Sequence, residues 1–410
     1  MRLFFSIVLF VFTCSVSLAQ TYTLDHYLET AKSNSPLLKD QKNQIASGQV
    51  DSLRLRAGYK PQVNLNSGGY FAPVIRGFGY AGAITNVQTL NALLGVNQQI
   101  IGKGYLNSQL ASIAFQRDSL INSGKLSEQD LKKTVTGQYI TAYGSFQQVK
   151  FNSEVVKLLT EEEGLLKKLT RTNVYKQSEY LAFLVTLKQQ QLQLMQARLQ
   201  YKNDYATLNY ITGIADTAYA ELSEPGIQKT VTPDASSSIF FKQYKLDSLR
   251  LNNARSLIDY SYKPKANIFA DGGYNTDFVQ PAKNFGTSFG FSLTMPIYDG
   301  GQRKMQYKKI RLEEETRQNY KAFFSVQYKQ QIAQLNQQIN ENENLLAQIK
   351  EQMKYSESLI KVDSQLLQTG DVKIGDLILA VNNYFTIQNL LTQTTISRLQ
   401  LINQLNYWNK

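Results

Sequence analysis

Cysteine, histidine and tryptophan are almost missing from this chain of 410 residues, where each occurs once. The cysteine, Cys14, falls in the leading stretch "MRLFFSIVLFVFTCSVSLAQ". There Arg2, an apolar run from Leu3 to Phe12 and the small residues Ser17-Leu18-Ala19 read as a secretory signal over 1–19, cut before Gln20. A lipoprotein signal acylated on Cys14 is the rival reading. If Cys14 leaves with the signal, no disulfide can staple the exported chain, so stability rests on packing or assembly. With His26 as the only histidine, metal ligation and Cys/His or Ser/His catalysis lack their residues. His26 reads as a surface or packing residue of an amphipathic helix. The stretches "GGQRK" and "IGKG" lack phosphate-loop spacing. No cofactor and no enzyme activity are expected.

Long apolar runs are also missing after the signal: no stretch of 18 apolar residues exists, which excludes a transmembrane helix but not a transmembrane β-barrel. The net charge is +12, yet no run of five or more basic residues appears. That spread suits solvated helix faces, not the concentrated patch nucleic acid requires.

Proline numbers only 8, and none falls between Pro73 and Pro225 or after Pro296. Long uninterrupted helices are therefore permitted there. From Ile332 the series Ile332, Leu335, Ile339, Asn342, Leu346, Ile349, Met353, Ser356, Ile360, Asp363, Leu367 steps by three and four, a sustained coiled-coil seam. The predicted helix over 301–368 spans roughly 100 Å at about 1.5 Å per residue, and a helix over 104–170 matches it. Shorter amphipathic segments flank each long one: Leu24 to Ala57 and 175–212, then Ser236 to Tyr262 and 374–409.

Between helices lie two stretches rich in Gly, Asn and aromatics. Phe285, Thr287, Phe289, Phe291, Leu293, Met295 and Ile297 alternate with small or polar residues, which is the period of a strand. The small hydrophilic opposite face, segments near ten residues and aromatics at the ends favour a membrane barrel over a soluble sandwich. Tyr59, Tyr105, Tyr262 and Tyr298 would line one interface, Tyr70, Phe71, Tyr274 and Phe278 the other, with Lys60 and Lys263 reaching the nearer headgroups. Two hairpins result, over 62–101 and 265–297. Four strands cannot close a barrel and open edges are not tolerated in lipid, so the chain must oligomerise; three copies give twelve strands.

The sequence is written twice. "YKPQVNLNSGGY" at Tyr59 returns as "YKPKANIFADGGY" at Tyr262; "NVYKQSEYLAF" at Asn173 answers "GDVKIGDLILA" at Gly370; "LNYI" at Leu208 answers "LNYW" at Leu405. The halves are a first repeat over 20–213, a linker over 214–238 and a second repeat over 239–410. The second copy of the opening motif has one extra residue, and a β-bulge near Phe269 to Asp271 is expected to restore its register.

With "YTLDHYLETAKSNSPLL", "MPIYDGGQRKMQYKKI", "GDVKIGDLILA" and "LINQLNYW" in this order, the chain resembles the TolC-like outer-membrane efflux proteins over nearly all its mature length. The resemblance implies a mostly α fold with a membrane β-barrel part, in which long coiled-coil helices form an α-barrel. The homotrimer would complete a 12-stranded barrel in the outer membrane, with a periplasmic extension. It implies, as partners, a periplasmic adaptor protein, an inner-membrane pump and outer-membrane lipid, and it places the linker outside the α-barrel near its equator.

The resemblance also places a periplasmic gate. One acidic ring position falls on Asp376, the second on Leu379, and the family's gating arginine on Val372, with Asp371 and Lys373 as neighbouring substitutes. An ordinary helix-start carboxylate is the alternative reading of Asp376. Asn173, Val174, Tyr175, Gly370 and Val372 lie in the helix tips that would contact the adaptor. Gly102, Gly104, Gly300 and Gly301 are read as strand-to-helix turns that need freedom in φ. An exported coiled-coil scaffold without a pore is the competing function.

Overall fold

The computed structural model describes residues 23–80, 87–216, 219–230, 238–277 and 283–409. The signal segment with Cys14, the belt residue Phe278 and linker residues 231–237 lie outside them. The elements run α1 (Leu24–Asn34), α2 (Pro36–Gly58), β1 (Gln62–Ala72), β2 (Val87–Ile100), α3 (Lys103–Arg171), α4 (Gln177–Thr212), α5 (Ile239–Ser261), β3 (Lys265–Thr276), β4 (Phe285–Thr294), α6 (Gln302–Thr369) and α7 (Ile374–Trp408).

Contacts divide the chain into two compact units, and each draws on both sequence repeats. One holds the described residues of Met1–Pro36, Ser127–Pro233 and Tyr328–Lys410; the other holds those of Leu37–Leu126 and Asp234–Gln327. The second unit contains a four-stranded antiparallel sheet in the order β1-β2-β3-β4. Its strands pair without a break, from Gln62 with Asn97 to Ala72 with Val87, from Leu90 with Thr276 to Ile100 with Ala266, and from Lys265 with Thr294 to Tyr274 with Phe285.

This register sorts every strand residue onto one of two faces. Residues directly opposite share a face, so Val63, Leu65 and Phe71 of β1 fall with Leu90, Leu94, Val96 and Ile100 of β2. Ala266, Ile268 and Ala270 of β3 and Phe289, Phe291 and Leu293 of β4 continue the same apolar surface. The opposite face carries Asn64, Asn66, Asn91, Asn97, Asn267, Asp271, Ser288 and Ser292, interrupted by Leu93 and Phe269. On it the Ser288 hydroxyl donates to Asp271 Oδ2 at 2.7 Å.

Several expectations are corrected. The pairing of β3 runs straight through Phe269 to Asp271, so no bulge is present. The extra residue is absorbed at the paired glycines instead. Gly69 and Gly272 take the apolar face, Gly68 and Gly273 the polar one, and the following tyrosines part company: Tyr70 turns to the polar face and Tyr274 to the apolar face. Glycine has no side chain to misplace, and tyrosine, apolar in body and polar at its tip, is at home on either face.

The helix expected over Leu24 to Ala57 is broken at Ser35, because Pro36 has no N–H to give the ladder and instead starts α2. Strand β4 stops at Thr294, leaving Met295 and Ile297 outside it, since Pro296 cannot donate to a ladder. Strand β2 spans Val87–Ile100, inside the expected hairpin.

In the other unit α3 packs against both α4 and α7, α4 also lies directly against α7, and α7 packs against α6. Asn152 and Gln138 of α3 donate to Gln193 O and Asp204 O of α4 at 3.4 and 3.0 Å. Gln400 and Asn403 of α7 donate to Gly137 O and Lys133 O of α3 at 2.8 and 2.9 Å. Arg398 of α7 bonds Glu343 of α6 at 2.8 Å, while Leu335 and Ile339 pack with Ile402 and Leu405. All eleven seam positions of α6 from Ile332 to Leu367 are buried or half-buried, as their spacing requires. The described linker residues are tied down by side chains. Tyr139 donates to Ser223 O at 2.8 Å, Asn406 to Gln228 O at 2.8 Å, and Leu222 joins a cluster with Tyr27, Tyr139, Tyr201 and Tyr205.

Gly273 tests the sheet register. Its φ of 153° lies where side chains are strained, and an added Cβ would overlap the backbone oxygen of Ala92. Gly273→Ala is expected to lower stability by on the order of 1–3 kcal/mol. Gly286→Ala, opposite it and in open space, should be near neutral. Thermal unfolding of both variants in detergent measures the difference.

Candidate functional site

The turns α3–α4 and α6–α7 are built alike, residue for residue, 197 positions apart. Each long helix ends in a left-handed residue, Asn173 at φ 60° and Gly370 at φ 82°. In each, the next amide reaches back one full turn: Val174 N to Leu169 O and Asp371 N to Leu366 O, both at 3.0 Å. The amide of the left-handed residue reaches the following carbonyl, Thr170 for Asn173 and Leu367 for Gly370. This is the Schellman arrangement, which consumes the orphan carbonyls of a helix end. Each short helix then starts after an extended lysine, Lys176 (φ −77°, ψ 146°) and Lys373 (φ −77°, ψ 145°).

The two turns meet at Tyr175. Its hydroxyl lies 2.9 Å from Val372 O and 3.1 Å from Leu367 O, and so bridges both sides of the α6–α7 turn. Val174 lies over Gly370, where an added Cβ would come within 3.1 Å of its Cγ1. Beneath, Leu166, Phe183, Leu367, Ile374 and Leu377 form a closed apolar cluster with Tyr175. Burial, with the charges of Glu179 and Asp371, holds the Tyr175 phenol above its usual pKa, so it remains a donor.

The gate residues are placed differently from one another. Asp371 and Lys373 stand exposed on the α6–α7 turn, and Asp376 is exposed in the first turn of α7, where its charge favours the helix dipole. Val372 is half-buried and Leu379 is exposed. Sequence reasoning missed the importance of Asp363. It sits on the α6 seam, 8% exposed, where the first repeat carries the buried Leu166. Desolvation raises its pKa, and the charge of Asp376 raises it further. A carboxylate at a seam position that wants an apolar side chain was the available signal.

At the strand-to-helix turns the four glycines act in two ways. Gly300 and Gly301 are left-handed, at φ 63° and 83°, and Asp299 closes the turn by accepting from Gly301 N at 2.8 Å, Arg303 N at 2.7 Å and the Tyr262 hydroxyl at 2.6 Å. The expectation that Gly102 and Gly104 supply the same freedom is corrected, since neither has positive φ. Gly104 lies inside α3, and an added Cβ there would overlap the Tyr260 hydroxyl, so its role is close approach. Among the described residues no cluster of three or more His, Cys, Asp or Glu could hold a metal ion.

No family model matches the chain, and no curated protein matches it in sequence. Solved structures do. CusC, studied for folding and transmembrane channel formation, matches with a TM-score of 0.76 over 96% of this chain and 95% of its own, at 11% identity. The outer-membrane protein VceC of Vibrio cholerae gives 0.73 over 94% and 96%, at 13% identity. The open-state MtrE outer-membrane channel of Neisseria gonorrhoeae gives 0.75 over 94% and 88%, at 12% identity. The chain has the TolC-like channel fold. At these identities the likeness is one of fold, so the roles of individual residues in this TolC-like chain rest on their own geometry.

Two measurements test the tip. Tyr175→Phe removes the donor shared by Val372 O and Leu367 O, a loss of about 1–1.5 kcal/mol. Amide exchange at Gly370 and Asp371 should accelerate roughly tenfold while the α3 interior is unchanged. Asp363 has a folded-state pKa raised above its unfolded value, so the protonated carboxyl is the form the folded tip prefers. Its favourable contribution is full below about pH 4 and is lost as pH rises through the raised value. Protection of the tip amides should therefore fall with rising pH, and Asp363→Asn should flatten that dependence.

Proposed function

We propose that this protein is an outer-membrane exit duct, conducting substrates passively across the outer membrane and periplasm as a homotrimer. The observation that carries the reading is the sheet. Four strands present one largely apolar face and one largely hydrophilic face, and among the described residues β1 and β4 stand unpaired at its edges. An apolar outer face with a wet inner face is what a lipid-embedded barrel requires, and unpaired edges in lipid demand further copies. No helix among the described residues is long and apolar enough to cross a membrane, so on this reading the sheet does so. The match to CusC, VceC and MtrE over nearly the full chain supports the channel reading.

The helical turns around Asn173, Val174, Tyr175, Gly370 and Val372 form the periplasmic end, where they close the pore and meet a periplasmic adaptor protein of a tripartite efflux or type I secretion system. The adaptor couples the duct to an inner-membrane pump, which supplies the energy. Asp376 contributes one carboxylate per chain to a partial acidic ring, with Asp371 and Lys373 beside it. A scaffold without a pore would explain the helices but give the two-faced sheet no purpose.

Purified protein from the outer-membrane fraction, reconstituted in planar bilayers, should conduct. Asp376→Asn should reduce cation selectivity and raise leakage without loss of assembly. A protein that inserts but never conducts supports the scaffold, and selectivity unchanged by Asp376→Asn removes the gate assignment.

A further inference from the structure

The four strands carry almost no charge. Among their described residues only Lys265 and Asp271 are charged, and both belong to β3. The register sets both on the hydrophilic face, Lys265 opposite Thr294, and Asp271 between Gly95 of β2 and Ser288 of β4. Lys265 is the first residue of β3, just after α5, whereas Asp271 stands near the middle of the strand. At about 3.4 Å per residue the two lie roughly 20 Å apart, more than two screening lengths of about 8 Å at physiological salt. The other charges of the two hairpins, Arg76, Asp277 and Lys283, lie in the turns beyond the strand ends. The middle of the hydrophilic face thus has one charge, and it is negative.

That carboxylate is oriented from one side and uncovered on the other. The Ser288 hydroxyl donates to its Oδ2 at 2.7 Å. Across the opposite ladder Gly95 offers no side chain, and a Cβ built there would lie 3.9 Å from the Cβ of Asp271. Counted from Pro61 and Pro264, Gly68 holds in the first hairpin the place that Asp271 holds in the second, so each chain supplies a single carboxylate at this height.

We infer that Asp271 is a charge filter of the transmembrane lumen, three carboxylates at one height that admit cationic and neutral solutes ahead of anions. The inference rests on the trimeric duct reading and names the solute class that its membrane span favours. Twelve strands about 4.8 Å apart and tilted by about 40° make a ring roughly 24 Å across, which leaves each carboxylate about 8–9 Å from the axis. At 0.01 M salt, with a screening length of about 30 Å, three such charges enrich cations over anions on the axis by on the order of tenfold. At 1 M, with a screening length of about 3 Å, the preference falls to near unity.

Reversal potentials across a KCl gradient in planar bilayers test the filter. The wild-type channel should prefer cations, and the preference should shrink several-fold as salt rises from about 0.01 to 1 M. Asp271→Asn should remove most of this low-salt preference, in the wild-type chain and in the Asp376→Asn background alike, while Asp271→Glu should keep it. Gly95→Lys leaves Asp271 intact but sets an ammonium beside it, and should abolish the preference too. Conducting Asp271→Asn channels as selective as the wild type at low salt overturn the filter and leave the duct standing. If Asp271→Asn fails to assemble, Gly95→Lys channels that keep wild-type selectivity overturn it equally. A wild-type protein that never conducts overturns the duct reading and the filter with it.

Discussion

The constraint on which this structure depends is the satisfaction of backbone hydrogen bonds at the rim of a two-faced sheet. Within the chain, β2 and β3 are paired on both sides, while β1 and β4 each keep one ladder edge open. In water such edges invite aggregation; in lipid, open N–H and C=O groups cost several kcal/mol each. The sheet has one face apolar enough for lipid and thus cannot be left with those edges exposed. Closure by copies is the solution open to a chain with only four strands, and it forces the helical part to accommodate the same ring.

Duplication shapes the two helical turns. Two copies of one design supply two Schellman turns with matching backbone hydrogen bonds, yet their chemistry has diverged at a few points. Tyr175 stands where the second copy has Val372, and Leu166 where the second has Asp363. The first change lets one tip grip the other through backbone carbonyls, which binds the turns without depending on the side chain accepted. The second places a carboxyl in an apolar cluster, where its charge is opposed by desolvation and by Asp376.

Much of the fold was legible because periodicity is a direct image of burial. The α6 seam, the four strands and both faces of the sheet follow from spacings of three and four, or of two, and boundaries fall within about three residues. What escaped depended on a third dimension. The apolar rhythm runs through Ser35-Pro36 unbroken, so only the missing N–H of Pro36 marks the split. A bulge was expected because a one-residue insertion ordinarily swaps faces; here the swap falls on Gly68-Gly69 and Gly272-Gly273, where there is no side chain to misplace. Gly104 looks like a turn glycine beside Gly102, and only its neighbour Tyr260 reveals a steric purpose. Tyr175 was visible as a tip residue, but a hydroxyl's partners cannot be read from spacing when they are carbonyls 192 and 197 positions away.

The exposed Asp376 and the buried Asp363 belong to one electrostatic problem. An exposed Asp376 charge is cheap to maintain at the start of α7, where the helix dipole favours it. The same charge acts on Asp363 through the packed α6–α7 pair and makes its ionisation harder. Charge at the surface of the tip and packing inside it are thus linked through two carboxyls on adjacent helices, with Tyr175 holding the turns together above them.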